Sequence, residues 1–281
     1  MPVVLVIVAI VSIQLGAAIA KTLFPLIGPQ GTTALRLAFS SVLMVVVLRP
    51  WRMRLDRAAW QTIMIYGVAL GGMNLLFYMA IRTVPLGIAV ALEFTGPLAL
   101  AMLSSRQPID FVWIALAVLG LFALLPLQGA RDIDPSGAIY ALGAGTCWAF
   151  YIFFGQKAGA GRGSEVVAAA VAIAAILVVP IGIAEAGATL LQPSLIVPGL
   201  AIAILSTALP YSLEMAAMTK LPAKTFGTLM SLQPAFGALS GLVFLGEYLS
   251  FRQWLAIGAI IIASIGATMT IRPKATVPAP T

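Results

Sequence analysis

The sequence predicts an all-α membrane protein whose ten transmembrane helices form two five-helix repeats of opposite orientation. The first observation behind this prediction is the composition, since 61% of the residues are hydrophobic, only 9% are charged and the mean hydropathy is +1.07. A soluble domain carries about 25% charged residues, so this chain lacks the polar groups to cover a globular surface. The second observation is the number of long apolar segments, and the third is a proline pattern that occurs twice.

The apolar segments come close to the roughly 20 residues that a membrane-spanning helix needs. In chain order, the ten predicted spans are residues 3–26, 32–48, 60–81, 85–104, 111–126, 136–154, 165–184, 196–218, 224–245 and 253–270. The first span has no basic flank and is longer than a signal-peptide core, so we expect a retained helix. The segments are apolar all round, whereas barrel strands would alternate. The short loops leave no room for a soluble catalytic domain.

The basic residues predict the orientation, because cytoplasmic loops are enriched in lysine and arginine. With the N-terminus in the cytoplasm, the external loops hold only three, Arg82, Arg131 and Arg252. The cytoplasmic segments then hold eleven: Arg49, Arg52, Arg54, Arg57, Arg106, Lys157, Arg162, Lys220, Lys224, Arg272 and Lys274. Both termini are therefore expected in the cytoplasm. The net charge of +7 reflects this topology and does not indicate nucleic-acid binding.

The third observation is the repeat. Pro85 and Pro97 recur 137 positions later as Pro222 and Pro234. Five spans in each half is an odd number, so the second half must enter the membrane from the opposite side. Such inverted repeats suit alternating access, in which cargo binds between the halves near the middle of the membrane. The predicted repeats are residues 1–135 and 136–281.

The residue inventory disfavours several classes of protein. Cys147 is the only cysteine and there is no histidine, so an internal disulfide and the usual metal and Ser/His/Asp sites cannot form. We expect no cofactor and no metal ion. A membrane-embedded enzyme would need paired acids or a nucleophile facing a base, and no such set is evident. A receptor or structural protein would leave the inverted repeat unexplained.

Several long stretches carry a resemblance to a known family. They are SIQLGAAIAKTLFP (12–25), TALRLAF (33–39), GGMNLLFY (71–78), TVPLGIAVALEFTGPLAL (83–100), SSRQPIDFVW (104–113), AILSTALPYSLEM (203–215) and FGTLMSLQPA (226–235). The chain resembles the drug/metabolite transporter superfamily, in the branch of ten-helix exporters. The resemblance implies proton-driven export of small neutral amino acids, threonine and homoserine above all, across the inner membrane without ATP. Export of aromatic amino acids, drugs or nucleobases stays open as the alternative.

Four ionisable residues fall inside the predicted spans, where a charge costs about 2.5–3.5 kcal/mol on insertion scales and indicates function by default. They are Lys21, Arg36, Glu93 and Glu214. Glu93 is near the centre of its span, and Pro97 cannot donate the helical hydrogen bond to the carbonyl of residue 93. Its carboxylate suits the ammonium group of an amino acid. A proton and that ammonium would compete for one carboxylate, which is the basis of antiport. The alternative is a structural Glu93 paired with Lys21 or Arg36.

The other three charges have competing interpretations. Glu214 is a second candidate for proton coupling, but an ion pair with Lys220 or Lys224 is slightly favoured. Lys21 and Arg36 are both expected toward the outer side, and either could hold a substrate carboxylate. For Arg36, expected only about one turn inside its span, we favour snorkelling to the interface or pairing with Glu93.

Further polar and aromatic side chains are candidates to line a cavity with Lys21 and Glu93. They are Asn74 and Tyr78, which share a helix face, together with Trp148, Tyr151, Tyr211 and Gln233. Hydroxyls and amides also bind neighbouring helices at modest gain, so each alone is weak evidence. Breaks in the helices are predicted at Pro97, Pro210 and Pro234, where a mere kink is the alternative to a binding role. The expected partners are an amino-acid substrate, protons and membrane lipid.

Overall fold

A computed structural model of the chain describes residues 2–53, 55–104, 108–124, 134–159, 165–218, 226 and 229–270, and these residues are helical apart from short connections. The helices are α1 (Pro2–Thr22), α2 (Phe24–Leu48), α3 (Arg57–Ile81), α4 (Leu86–Ser104), α5 (Asp110–Leu124), α6 (Pro135–Gly159), α7 (Glu165–Ala186), α8 (Ile196–Ala203), α9 (Leu209–Met218), α10 (Gln233–Leu245) and α11 (Phe251–Thr270). A π-helical segment, Ile204–Ala208, joins α8 to α9 into one span. Counted in this way, the described ranges contain ten spans, which confirms the predicted all-α class.

Length and composition agree with a multi-pass membrane protein. Six of the described spans are long and apolar enough to cross a membrane, and four are shorter apolar helices. Large apolar side chains are exposed along the helices, such as Val197 and Phe111, and lipid is the solvent that suits them. Several predicted features lie outside the described residues, namely Pro222, Arg54, Arg106, Arg131, Arg162, Lys220, Lys224, Arg272 and Lys274.

The second span is longer than the sequence indicated. It was expected to begin at residue 32, but α2 begins at Phe24, directly after the end of α1 at Thr22. Pro25 lies in the first turn of α2, where its missing N–H removes no helical bond. Gly28 then takes φ 66°, a left-handed conformation that glycine adopts at little cost, and the helix kinks there. Arg36 is consequently in the middle of a 25-residue helix.

The helix pairings have the symmetry of an inverted repeat. In span order, the two-fold operation exchanges each of the first five spans with the span five places later. The packing of α3 on α6 then corresponds to that of α1 on α8 and α9, and α4 on α6 corresponds to α10 on α1. The pairs α2 with α7, α4 with α10 and α5 with α11 map onto themselves. The contacts therefore bear out the inverted repeat.

Glycines allow the closest crossing, between α4 and α6. A Cβ atom on Gly96 would overlap the carbonyl group of Gly145, and a Cβ atom on Gly145 would overlap the carbonyl oxygen of Glu93. Small residues commonly let membrane helices approach in this way. The carbonyl that Pro97 leaves without a helical donor is thus covered by α6, and α4 continues through Pro97 without ending. The backbone of Glu93 therefore lies at this contact between α4 and α6.

Candidate functional site

Arg36 is the centre of a buried polar cluster formed by α2 and α3. Its Nη1 donates a hydrogen bond to the hydroxyl of Tyr78 at 2.9 Å, and its Nη2 donates to the side-chain oxygen of Asn74. The guanidinium carbon also lies 5.1 Å from the centre of the Tyr78 ring, in cation–π geometry. Asn74 and Tyr78, four residues apart on α3, therefore meet on one face as predicted from their spacing.

The cluster holds the arginine without neutralising it. Arg36 is only 6% exposed, so the expectation that it snorkels to the interface was wrong. Its Nε is buried and has no hydrogen-bond partner in the part of the chain that the structure describes. Among the described residues, no carboxylate lies within ion-pairing distance of the guanidinium, because Lys21 and Glu247 form the one salt bridge found there. Asn74 and Tyr78 supply dipoles but no opposite charge.

The carboxylate of Glu93 could carry the charge opposite to Arg36, and it too lacks partners among the described residues. Its side chain is 8% exposed on α4, and Arg36 acts on it electrostatically although the two form no ion pair. In the described part of the chain, no residue donates a hydrogen bond to its carboxylate. Two other groups interact electrostatically with Glu93, the Cys147 thiol of α6 and the Tyr211 phenol of α9. Arg36 on α2 and Glu93 on α4 thus lie within electrostatic range of each other without forming an ion pair.

Aromatic residues extend the site toward α9. The rings of Tyr66 and Tyr151 stack at 4.8 Å between α3 and α6, and Trp148 meets Phe94 edge-on at 5.5 Å. Tyr211 lies within electrostatic range of Arg36, Glu93 and Glu214. Trp148 and Tyr151 are therefore near the acids but outside the hydrogen-bonded cluster of Arg36.

Glu214 lies on α9, and its Oε1 atom is buried without a hydrogen-bond partner among the described residues. The lysines that were slightly favoured as its partners, Lys220 and Lys224, lie outside the described residues. The charge of Glu214 acts on three phenol groups, those of Tyr66, Tyr151 and Tyr211. Tyr211 therefore lies within electrostatic range of both membrane-embedded acids, Glu93 and Glu214.

Lys21 is not part of the Arg36 cluster. Its Nζ lies 2.5 Å from Glu247 Oε1 and 3.4 Å from the carbonyl oxygen of Val84. Glu247 Oε2 accepts a further hydrogen bond, at 2.6 Å, from the backbone N–H of Leu86 at the start of α4. We call this set of contacts the Lys21–Glu247 latch. Sequence reasoning did not single out Glu247.

Gln233 and Pro234 are at a break in the ninth span, which is the two-fold partner of α4. A turn at Ser231 and Leu232 precedes α10, which begins with Gln233 and Pro234. The amide of Gln14 in α1 donates to the backbone carbonyl of Gln233 at 3.5 Å, while its own Oε1 is buried without a partner. Pro210 follows the π-helical segment Ile204–Ala208, where Ser12 donates to the carbonyl of Leu205 at 2.7 Å. These two proline positions therefore coincide with irregular backbone.

The repeat also relates residues of the candidate site to positions in the other half of the chain. The offset of 137 that relates Pro97 to Pro234 also relates Asn74 to Tyr211, on α3 and α9. The same offset relates Glu93 to Met230, whose thioether carries no charge. The two halves thus share a frame around the site, but the charge is present in only one of them.

A cleft of about 280 Å³ opens at the ends of α2, α3 and α6 beyond the Arg36 cluster. Its lining consists of Pro29, Gln30, Met79, Arg82, Thr83, Ser136 and Tyr140. Beside it, Asp134 accepts hydrogen bonds from the backbone and hydroxyl of Ser136 at 3.1 and 2.6 Å, which lowers the pKa of its carboxyl below the usual value. Tyr78, the residue before Met79, is completely buried, and neither it nor Arg36 is among the lining residues of this cleft.

Comparison with known proteins gives a consistent relationship. Residues 135–269 match the EamA-like transporter family. The chain is 58% identical to the threonine/homoserine exporter RhtA of Escherichia coli K12 over 98% of its length and 93% of that protein, and 56% identical to RhtA of Salmonella typhimurium LT2 over 97% and 92%. A solved crystal structure superposes with a TM-score of 0.65 at 18% identity, covering 94% of this chain and 96% of that one, which supports the fold alone.

Proposed function

This chain belongs to the EamA-like transporter family, and we propose that it exports small neutral amino acids, threonine and homoserine above all, by proton antiport. The cargo is inferred from the relatives named threonine/homoserine exporters, which are 56–58% identical over nearly the whole chain. We place the protein in the cytoplasmic membrane with both termini in the cytoplasm, since the basic residues favour that orientation.

The observation that carries the proposal is the state of Glu93. It is 8% exposed, lies at the crossing of α4 and α6, and has no hydrogen-bond donor or ion-pair partner among the described residues. A carboxylate in such surroundings is costly unless something binds it. A structural acid would be expected to have its partners in place. Glu93 therefore suits a ligand that comes and goes, either a proton or the ammonium group of the cargo.

A proton and the cargo ammonium cannot bind Glu93 at the same time, so the movement of protons is coupled to the movement of the amino acid. When the site faces the cytoplasm, an amino-acid ammonium displaces the proton; when it faces the outside, a proton displaces the ammonium. The inverted repeat supplies the two alternating states, because the two-fold relation makes an inward-open and an outward-open arrangement of the same helices nearly equivalent. Glu214, which like Glu93 lies within electrostatic range of Tyr211, is proposed as a second group that exchanges protons.

The walls of the proposed path come from both repeats. We propose that Asn74 and Tyr78 on α3, Trp148 and Tyr151 on α6, Tyr211 on α9 and Gln233 on α10 line it. Irregular backbone at Pro210 and Pro234 adds polar groups to this lining. Lys21 was a candidate for the same role, but its contacts with Glu247 and Val84 favour a structural role in the present arrangement.

The direct test uses the purified protein in vesicles with an acidic lumen. Antiport predicts that labelled threonine and homoserine accumulate in the lumen as protons leave it, and that collapsing the pH gradient abolishes this accumulation. Phenylalanine serves as the aromatic control and should accumulate poorly. Phenylalanine uptake that equals or exceeds threonine uptake would replace the proposed cargo, and threonine uptake unaffected by the pH gradient would refute the coupling.

A further inference from the structure

The structure assigns a second ligand group. We infer that Arg36, presented by Asn74 and Tyr78, binds the α-carboxylate of the cargo, so that a free carboxylate is required for transport. The inference rests on the proposed function only in taking an amino acid as the cargo. It adds a recognition group and a chemical requirement that the proposed function does not specify.

The first argument concerns charge. A buried guanidinium is normally accompanied by a carboxylate, because an uncompensated charge in a low-dielectric interior is strongly unfavourable. Arg36 is 6% exposed, yet within the described ranges no acid lies within ion-pairing distance. A ligand carboxylate would supply the missing charge.

The second argument concerns hydrogen-bond donors. A guanidinium has five N–H groups in a fixed planar arrangement. Two hydrogen bonds are made, to Tyr78 and Asn74, and the buried Nε has no partner. Nε–H and a neighbouring Nη–H form the two-donor edge that carboxylates bind in bidentate fashion. The unmade hydrogen bonds of Arg36 therefore match the acceptors that a carboxylate carries.

The third argument concerns orientation. The side-chain nitrogen of Asn74 donates to the carbonyl of Leu70 at 2.7 Å, which turns its side-chain oxygen toward Arg36. The Tyr78 ring supports the guanidinium from below at 5.1 Å and packs against Phe24 at 5.8 Å. Neutral partners thus fix the position of the cation while leaving its charge available, and such preorganisation reduces the entropic cost of binding.

Glu93 explains why the cargo should be a zwitterion. Arg36 acts electrostatically on Glu93, but the two groups do not form an ion pair with each other. An α-amino acid carries its ammonium and its carboxylate on the same carbon atom, so one small solute can engage both side chains. An amine without a carboxylate would leave the buried guanidinium of Arg36 unpaired. A binding site discriminates strongly against ligands that leave one of its buried polar groups unpaired.

The experiment compares threonine with threoninamide, which keeps the side chain and the amine but lacks the carboxylate charge. In vesicles containing the native protein, we expect unlabelled threonine to compete with labelled threonine and threoninamide to compete at least about tenfold less well. In Arg36→Gln, KM for threonine should rise about tenfold to a hundredfold, the factor expected for one bidentate charged pair, and the preference over threoninamide should disappear.

Two further variants separate recognition from folding. Arg36→Lys keeps the charge but loses the planar two-donor edge, so it should retain part of the preference. Arg57→Gln is the matched control, since Arg57 is an exposed arginine at the first turn of α3 and its loss should leave both KM and the preference unchanged. Size-exclusion profiles and melting curves in detergent check that each variant is folded.

The outcomes distinguish this inference from the function on which it rests. Equal competition by threonine and threoninamide in the native protein, or an unchanged preference in folded Arg36→Gln, would overturn the role of Arg36 while threonine export stands. Direct calorimetric binding of both compounds to detergent-solubilised protein provides the second measurement. Carboxylate-dependent binding without pH-driven uptake would overturn the antiport and support the inference, and absence of threonine binding would overturn the inference itself.

Discussion

The Lys21–Glu247 latch and the Arg36–Glu93 region both bring a cation and an acid into the interior. They differ in how far these charges are paired and hydrogen bonded. In the latch, the two charges lie 2.5 Å apart, and the backbone N–H of Leu86 and the carbonyl of Val84 occupy the remaining positions. In the second region, Arg36 has only neutral partners and Glu93 has none among the described residues.

Under the proposed function, the difference separates a structural site, the latch, from a binding site, the Arg36–Glu93 region. The latch has its charges paired and hydrogen bonded, so removal of one partner leaves the other exposed to an unfavourable environment. The Arg36–Glu93 region already contains that unfavourable arrangement, and a native protein maintains such a cost mainly where it serves binding or reaction. Mutations should therefore affect stability at the first site and transport at the second.

The largest effect is expected for Glu93→Gln. Losing the exchangeable carboxylate should reduce pH-driven threonine uptake by up to about a hundredfold, since one charged hydrogen-bonded contact is worth about 1.5–3 kcal/mol. Thermal stability in detergent should be unchanged or higher, because the substitution removes a buried charge without a partner. Vesicle uptake and melting curves measure the two quantities.

Glu185→Gln is the control for that experiment, as Glu185 is an exposed acid near the end of α7 and should tolerate the change. If Glu93→Gln melts several degrees lower than the native protein while transport persists, Glu93 is a structural acid and the comparison with the latch fails.

The second-largest effect is expected at Gly145, which packs against the backbone of Glu93. Gly145→Ala places a Cβ atom against the carbonyl of Glu93, so α4 and α6 must separate. Overpacking of this kind costs about 1–3 kcal/mol, and we expect a lower melting temperature together with reduced uptake. Gly258→Ala is matched to it, because no heavy atom lies within 4 Å of a Cβ added there. Equal melting temperatures for the two variants would show that the crossing tolerates a methyl group.

The smallest effect is expected at the latch. Glu247→Gln preserves the shape of the side chain but removes its charge from Lys21. At side-chain exposures of 14% and 20%, the pair is partly screened, so we expect a loss of about 1–2 kcal/mol in stability. The preference for threonine over threoninamide should be intact. A variant that transports poorly at native stability would instead assign Glu247 to the transport path.

Much of the fold follows from patterns along the chain. The ten spans are recognisable because each depends on the composition of about twenty neighbouring residues. The second span was the exception, since the prolines and glycines of residues 25–31 read as a connecting segment although Pro25 fits the first turn of α2. That error moved Arg36 toward the interface and made snorkelling look preferable to a binding role.

The candidate site was foreseeable only in part. Asn74 and Tyr78 share a helix face by spacing alone, and an acid at position 93 inside a span stands out in any apolar sequence. Their partners could not be derived in this way. Arg36 meets Tyr78 across 42 positions, and Lys21 meets Glu247 across 226.

The sequence by itself determined the solvent of this protein, the number of its spans and the existence of a twofold repeat, because these properties reside in local composition and in a fixed offset of 137 residues. Only the tertiary structure decided which charges are paired. Four intramembrane charges are candidates along the chain, and among the described residues helix packing gives Lys21 a counterion while leaving Arg36 and Glu93 without one. Electrostatic energy depends on distances in space, and distances between helices far apart in sequence are set by the packing of their small residues.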